Sequence, residues 1–137
     1  DEVPILSVAA CFLNGVLTVR GAEELRKKES DRIESMAGEL GKLGVSVSVL
    51  PDGFILKGDP DRAFHLPTEP LSAHHDHRVA MSLTVLIQAA LGRQQVATAD
   101  RAAFAALGIE GGECVNISFP TFYSTWQSIG SPLSAIR

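Results

Sequence analysis

Hydrophobic positions in the first half of the chain follow two different periods. Ile33, Met36, Ala37, Leu40 and Leu43 recur at three- and four-residue steps, which predicts one apolar face of an amphipathic helix. Asp31, with Glu34 three residues later, has the form of a capping box, so this helix should start near Ser30 or Asp31 and stop at Gly44. Val45-Ser46-Val47-Ser48-Val49 then alternates with period two, the pattern of a strand buried on one face. Pro51-Asp52-Gly53 predicts a turn, and Phe54-Ile55-Leu56-Lys57 the returning strand of a hairpin. Upstream, residues 3–14 are mostly apolar, with Pro4 where a first helical turn tolerates it and Asp1 placed as a cap. Asn14-Gly15 ends that helix, residues 16–19 predict a short strand, and residues 21–27 a loop into the next helix.

The second half is less regular. Residues 58–73 hold three prolines and little periodicity, which predicts a loop or irregular edge. A helix is predicted from Asp76 through Val79, Ala80, Leu83, Leu86, Ile87 and Ala90 to Gly92, apolar nearly all round as a buried central helix would be. Residues 95–99 predict a strand, residues 102–107 a short helical patch and residues 115–118 an extended stretch. Phe119-Pro120 opens a last helix through Phe122, Tyr123, Trp126 and Ile129, and residues 130–137 predict a frayed tail. In both halves an Asp opens an apolar helix, a Gly ends it, a strand follows, and an amphipathic helix comes later. A duplicated α/β (α+β) unit with helices inside and a sheet on one side accounts for that order.

Composition narrows the function classes. At 137 residues with 45% hydrophobic and 20% charged content, the chain has material for one domain with a sizeable core. A net charge of −4 gives no support to binding of nucleic acid or anionic membrane. The longest apolar run, residues 79–91, is broken by Ser82, Thr84 and Gln88 and is too short to span a bilayer. No signal-peptide pattern is visible, and two cysteines, Cys11 and Cys114, make no disulfide framework, so a reducing cytoplasmic setting is expected. Opening on Asp1-Glu2 without a methionine, the chain reads as a piece of a longer or processed polypeptide.

Two polar clusters carry candidate chemistry. Lys27-Lys28-Glu29-Ser30-Asp31-Arg32 sits at and just before a helix N-terminus, where free N–H groups and the helix dipole favour an anion. Lys28 and Arg32 are four apart and can face one ligand with Glu29 beside them, although from local sequence alone a solvated charged helix start is the default reading. The second cluster is His74-His75-Asp76-His77-Arg78. Zinc needs ligands converging from different directions and adjacent residues cannot all turn inward, so no metal site is read there. Asp76 is the expected cap, and Arg78 in the first turn is a planar two-pronged donor for a carboxylate or phosphate. A cation at that end of a helix makes more sense with a bound anion beside it.

The motifs Asp1-Glu2-Val3-Pro4-Ile5-Leu6-Ser7-Val8-Ala9-Ala10, Arg26-Lys27-Lys28-Glu29-Ser30-Asp31-Arg32, Asp76-His77-Arg78-Val79-Ala80-Met81 and Ser118-Phe119-Pro120 closely resemble, in order and over nearly the whole chain, the C-terminal third of the 5-enolpyruvylshikimate-3-phosphate (EPSP) synthase family. The resemblance implies a two-domain enolpyruvyl transferase fold, each domain built of three βαβαββ units with inward helices and the site in the cleft between them. Residues 1–137 would be about two units of one domain. It implies transfer of the enolpyruvyl group of phosphoenolpyruvate to the 5-hydroxyl of shikimate 3-phosphate, with release of phosphate, and no metal or organic cofactor. The enolpyruvyl transferase acting on UDP-N-acetylglucosamine shares that architecture and is the nearest alternative; a non-catalytic anion-binding or assembly module is another.

The same resemblance implies residue roles. Asp1 would contact the shikimate hydroxyls and act in proton removal, Glu29 would handle the proton at the methylene carbon, and Lys28 would lie near the target hydroxyl. Arg32 and Arg78 would hold phosphoenolpyruvate, with His77 positioning Arg78. Some members have asparagine at the position of Glu24 and lysine at that of Ile117, so neither role carries over. With isoleucine at 117 the resemblance implies weaker inhibition by glyphosate, which competes with phosphoenolpyruvate and depends on the full set of cations. The partners implied are the two small-molecule substrates and the missing domain of the same polypeptide, without which the chain alone would be inactive.

Overall fold

The computed structural model describes residues 1–129, so the tail expected at residues 130–137 lies outside the described residues. Helix α1 spans Val3–Cys11, strand β1 Gly15–Val19, and a 3-10 turn at Glu23–Lys27 leads to helix α2, Arg32–Lys42. Strands β2 (Val47–Leu50) and β3 (Gly53–Gly58) form the expected hairpin, with Leu50 paired to Gly53 across its turn. β3 is the centre of a three-stranded antiparallel sheet in the order β1-β3-β2, with Gly15 opposite Gly58 and Val19 opposite Phe54.

Two glycines make this sheet possible. A Cβ at Gly53 would collide with the Val19 carbonyl oxygen, and one at Gly58 with the carbonyl oxygens of Ala10 and Leu13 at the end of α1. The hairpin turn can lie this close to the end of β1, and the sheet this close to the end of α1, only because those positions lack side chains.

Strand β4 (Leu71–Ser72) precedes helix α3 (His77–Gly92), whose buried positions include Val79, Ala80, Leu83, Leu86, Ile87 and Ala90. α3 packs against α1 and α2, and these three helices meet β3 in one core. α4 (Arg101–Ala105), β5 (Ile109–Glu110) and α5 (Phe122–Ser128) complete the described chain, and β5 pairs in parallel with β4.

Two expected strands do not form. At residues 95–99 only Val96 makes a single bridge, to Phe64, while the Gln95 amide donates to the Pro60 and Arg62 carbonyls and the chain turns at Thr98–Asp100. The strand that a second copy of the first unit needs is thereby reduced to one contact. At 115–118, Gly111 with φ 71° reverses the chain and Gly112–Ile117 winds into a 3-10 turn. Val115 alone enters the core, and its carbonyl takes the Ser118 and Phe119 N–H groups. α5 accordingly starts at Phe122, later than Phe119.

Candidate active site

α2 exposes why a purely apolar pattern understates this site. Its buried face contains Ile33, Met36 and Leu40, as the periodicity requires, but also Arg32 and Glu39, only 2% and 1% exposed. Asp31 is the cap, accepting from the Ile33 and Glu34 N–H groups at 3.1 Å, and leaves Arg32 as the first helical residue. Helical side chains lean toward the N-terminus, so Arg32 reaches back over that end. Arg26 ties the preceding turn to the hairpin, donating to the Pro51 and Leu50 carbonyls at 2.9 and 2.8 Å and to Asp31 at 2.7 Å.

α3 begins on Asp76, whose Oδ1 accepts the Arg78 N–H at 2.9 Å. The same carboxylate faces Arg32: Nε donates to Oδ2 at 2.7 Å and Nη2 to Oδ1 at 3.3 Å, while the Ser30 hydroxyl adds 3.0 Å to Oδ2. Burial pushes the Asp76 carboxyl up, but the Arg32 and Arg78 hydrogen bonds, the Arg32 charge and Ser30 outweigh it and hold the group below its ordinary value. The approach to Asp76 is strained, because His74 (φ 51°) and His75 (φ 58°) both adopt left-handed backbone. Such a conformation costs a non-glycine residue about 1–2 kcal/mol. Asp76, expected from sequence only as a cap, is thus the buried anchor joining α2 to α3.

Asp1 is not a cap. The N-cap of α1 is Glu2, without a side-chain bond, and the Asp1 carboxylate turns instead to the cations. Its Oδ1 lies 2.8 Å from Arg32 Nη1 and 3.8 Å from Lys28 Nζ, and its Oδ2 lies 3.5 Å from Arg78 Nη2. Glu29 Oε2 accepts from Arg32 Nη2 at 2.6 Å. The starts of α1, α2 and α3 therefore converge on one patch holding Asp1, Lys28, Glu29, Arg32 and Arg78. All five sequence candidates meet there, but they are not equivalent. Arg32 is saturated by three carboxylates at 1% side-chain exposure, whereas Arg78 (37%) and Lys28 (40%) are loosely held and open to solvent. Two loosely paired, solvent-open cations beside the helix starts are the kind of groups that can receive an anion.

Beside the patch, Asp1 and Arg78 edge a cavity of about 220 Å³ whose walls are Ile5, Met81, Ser82 and Val85. Glu24 only pairs with Lys27 at 3.7 Å on an exposed face. Ile117 is 87% exposed at the end of its turn. Among the described residues no group of three or more His, Cys, Asp or Glu side chains is arranged to hold a metal ion.

The mixed helix-and-sheet architecture matches that of solved enolpyruvyl transferases. EPSP synthase from Acinetobacter baumannii superposes with TM-scores of 0.72 and 0.69 in two structures, at 33% and 30% identity over 95% of this chain. The family model for EPSP synthase (3-phosphoshikimate 1-carboxyvinyltransferase) matches residues 1–126, and the chain belongs to that family. Among similar proteins, the 3-phosphoshikimate 1-carboxyvinyltransferase of Carboxydothermus hydrogenoformans is 45% identical over 90% of this chain. That of Lactiplantibacillus plantarum is 42% identical over 90%, and that of a Synechococcus species 41% over 98%. The chain spans about a quarter of the length of these relatives, 25–27%.

Proposed function

We propose that this chain supplies one wall of the active site of an enzyme that transfers the enolpyruvyl group of phosphoenolpyruvate to the 5-hydroxyl of shikimate 3-phosphate, releasing phosphate. The observation that carries it is the Asp1 carboxylate within reach of Lys28, Arg32 and Arg78 at once. That constellation sets a base beside the cations that would hold an acidic acceptor and an acidic donor.

In the addition step the acceptor oxygen bonds to C2 of phosphoenolpyruvate, its proton leaves toward Asp1, and C3 gains a proton from Glu29. In the elimination step C3 returns a proton, the C2–O bond to phosphate breaks and the vinyl ether forms. Arg78 is the open fork for the donor's carboxylate or phosphate. An anion reaches Arg32 only by displacing a carboxylate. Asp76 is buried and Asp1 is also tied to Lys28 and Arg78, which leaves Glu29, bound to Arg32 alone among these cations and 48% exposed, as the one to give way. Displacement would release Glu29 from its ion pair toward the methylene carbon, so donor binding and readiness for proton transfer become one event. Lys28 would lie by the reacting hydroxyl and lower the cost of its deprotonation.

Two repeat units of one domain are the proposed extent of residues 1–137, and the rest of the polypeptide is the proposed partner that closes the cleft. The chain alone is then inactive, because half a cleft cannot exclude water. Among the described residues no helix is long and apolar enough to cross a membrane, which is compatible with the proposed cytoplasmic setting. The test is phosphate release by the full-length protein carrying this chain, given phosphoenolpyruvate with shikimate 3-phosphate or with UDP-N-acetylglucosamine. Turnover with the first acceptor is expected. Turnover with only the second would move the assignment to the sister activity, and none with either would overturn it.

A further inference from the structure

α2 holds the segment leading into α3 at two points, and only one of them belongs to the catalytic patch. Arg32, at its start, grips Asp76. Glu39, seven residues and about two turns further along the same buried face, grips the segment at its other end. Glu39 Oε2 accepts the Ser72 N–H at 3.0 Å, and its Oε1 accepts His74 Nε2 at 2.8 Å. Lys42 spans both Glu39 oxygens at 2.9 and 3.0 Å and also donates to the Pro70 carbonyl at 2.8 Å, which balances the buried charge. Between the two grips lie the left-handed His74 and His75.

A backbone held left-handed at two consecutive non-glycine residues persists only where its surroundings over-determine it. Here Glu39 holds 72–74 and Arg32 holds 76, with β5 adding the Ala73 N–H to Glu110 carbonyl bond at 2.8 Å, so two side chains of α2 take part in setting where α3 begins. Arg78, one residue into α3 from its first position and bonded through its N–H to Asp76, goes wherever that start is placed. We propose that Glu39 and His74 are positioning residues for Arg78, and through it for the anionic donor. This rests on the function proposed above. Neither side chain touches the patch itself: Glu39 is buried under β4, and His74 lies on the Glu39 side of the corner.

The test is steady-state kinetics of the full-length enzyme carrying His74→Gly or Glu39→Gln, titrating each substrate at saturating concentrations of the other. Glycine accepts the left-handed backbone without penalty and deletes only the tether, so His74→Gly should fold even if changes at the buried Glu39 do not. The expected result is a KM for phosphoenolpyruvate raised roughly 5- to 20-fold, with that for shikimate 3-phosphate within about twofold, because a misplaced fork loses one ligand and not the other. His74→Gln, which keeps an amide donor within reach of Glu39, should recover most of the loss. A purely structural role predicts lower stability or a smaller active fraction, with the two KM values unmoved or moving together. That outcome, or an unchanged phosphoenolpyruvate KM in His74→Gly, overturns the inference while leaving the proposed function standing. Absence of phosphoenolpyruvate-dependent phosphate release in the wild type overturns both and is seen before any variant is compared.

Discussion

Arg32 and Asp76 stand 44 residues apart in sequence, yet Nε and Oδ2 meet at 2.7 Å, both side chains essentially without solvent contact. Each group needs the other, because a lone buried charge is far more costly than a paired one. Asp76→Asn keeps the helix cap, since asparagine caps as well as aspartate, but leaves the guanidinium short of one carboxylate. Because Asp1 and Glu29 still pair the guanidinium, we expect a loss of about 1–3 kcal/mol in unfolding free energy at neutral pH, measured by denaturant titration of the enzyme carrying this chain. The folded Asp76 titrates below its ordinary value of 3.8. The ionised pair therefore adds stability above that value and loses it as pH falls through the lower folded one. Wild type and Asp76→Asn should converge in strongly acidic buffer. A gap that stays constant from pH 7 to pH 2 would show that the charge of Asp76 is not what stabilises.

Glu29 pairs with Arg32 at 2.6 Å, so under the proposed mechanism it would compete with an incoming anion and its charge would have two opposite effects. In Glu29→Gln the proton donor is gone and turnover should fall roughly 10²-fold or more. The amide also holds Arg32 less tightly than a carboxylate at 2.6 Å does. The KM for phosphoenolpyruvate should therefore stay level or fall while kcat collapses. Normal turnover would remove Glu29 from the chemistry, and a large rise in KM would mean that Glu29 supports the site without being displaced from it.

What the sequence disclosed followed from periodicity and end signals. Ile33, Met36 and Leu40 gave α2 its buried face, Asp31 and Asp76 gave two helix starts, and Pro51-Asp52-Gly53 gave the hairpin. What it hid were the exceptions to hydrophobic burial. Arg32 and Glu39 occupy buried positions because partners from distant segments satisfy them, and no local pattern announces such partners. Asp1 fits a cap by type and position but is drawn to cations supplied 27 to 77 residues later. The strand expected at 115–118 failed because Gly111 reverses the chain, leaving Val115 as the single apolar anchor of a turn.

Arg32 and Arg78 look equivalent in sequence, and the structure separates them. Arg32→Lys removes a fork that serves three carboxylates from an interior position, so it should lower stability and activity together. Arg78→Lys alters a side chain that is 37% exposed and loosely held by Asp1 at 3.5 Å. It should leave the unfolding transition nearly unchanged and mainly raise the KM for phosphoenolpyruvate, by roughly tenfold or more, since an ammonium cannot make a two-pronged contact. Thermal melts beside substrate titrations of both variants decide the matter. Equal destabilisation by the two substitutions would contradict the division of labour.

Ile117 offers the converse experiment, a gain of charge. At 87% exposure it contributes little to the core, so Ile117→Lys should fold as well as the wild type. Its turn nevertheless runs beside the site: α3 packs on it, and the Cys114 thiol, pushed up mainly by burial, also feels the Asp76 carboxylate. A lysine three residues beyond Cys114 adds a flexible, exposed cation at the end of that turn, and the experiment asks whether it reaches the anion held by Lys28 and Arg78. The field of one exposed charge is screened beyond about 10 Å at 0.1 M salt, so any gain must shrink as ionic strength rises. We expect the lysine variant to be inhibited more strongly by glyphosate at fixed phosphoenolpyruvate, with the difference largest in dilute buffer. Inhibition curves of the two full-length enzymes at low and high salt make the comparison. If they coincide at both, position 117 lies outside the reach of the anion site and the turn's exposed end has no part in selecting its ligand.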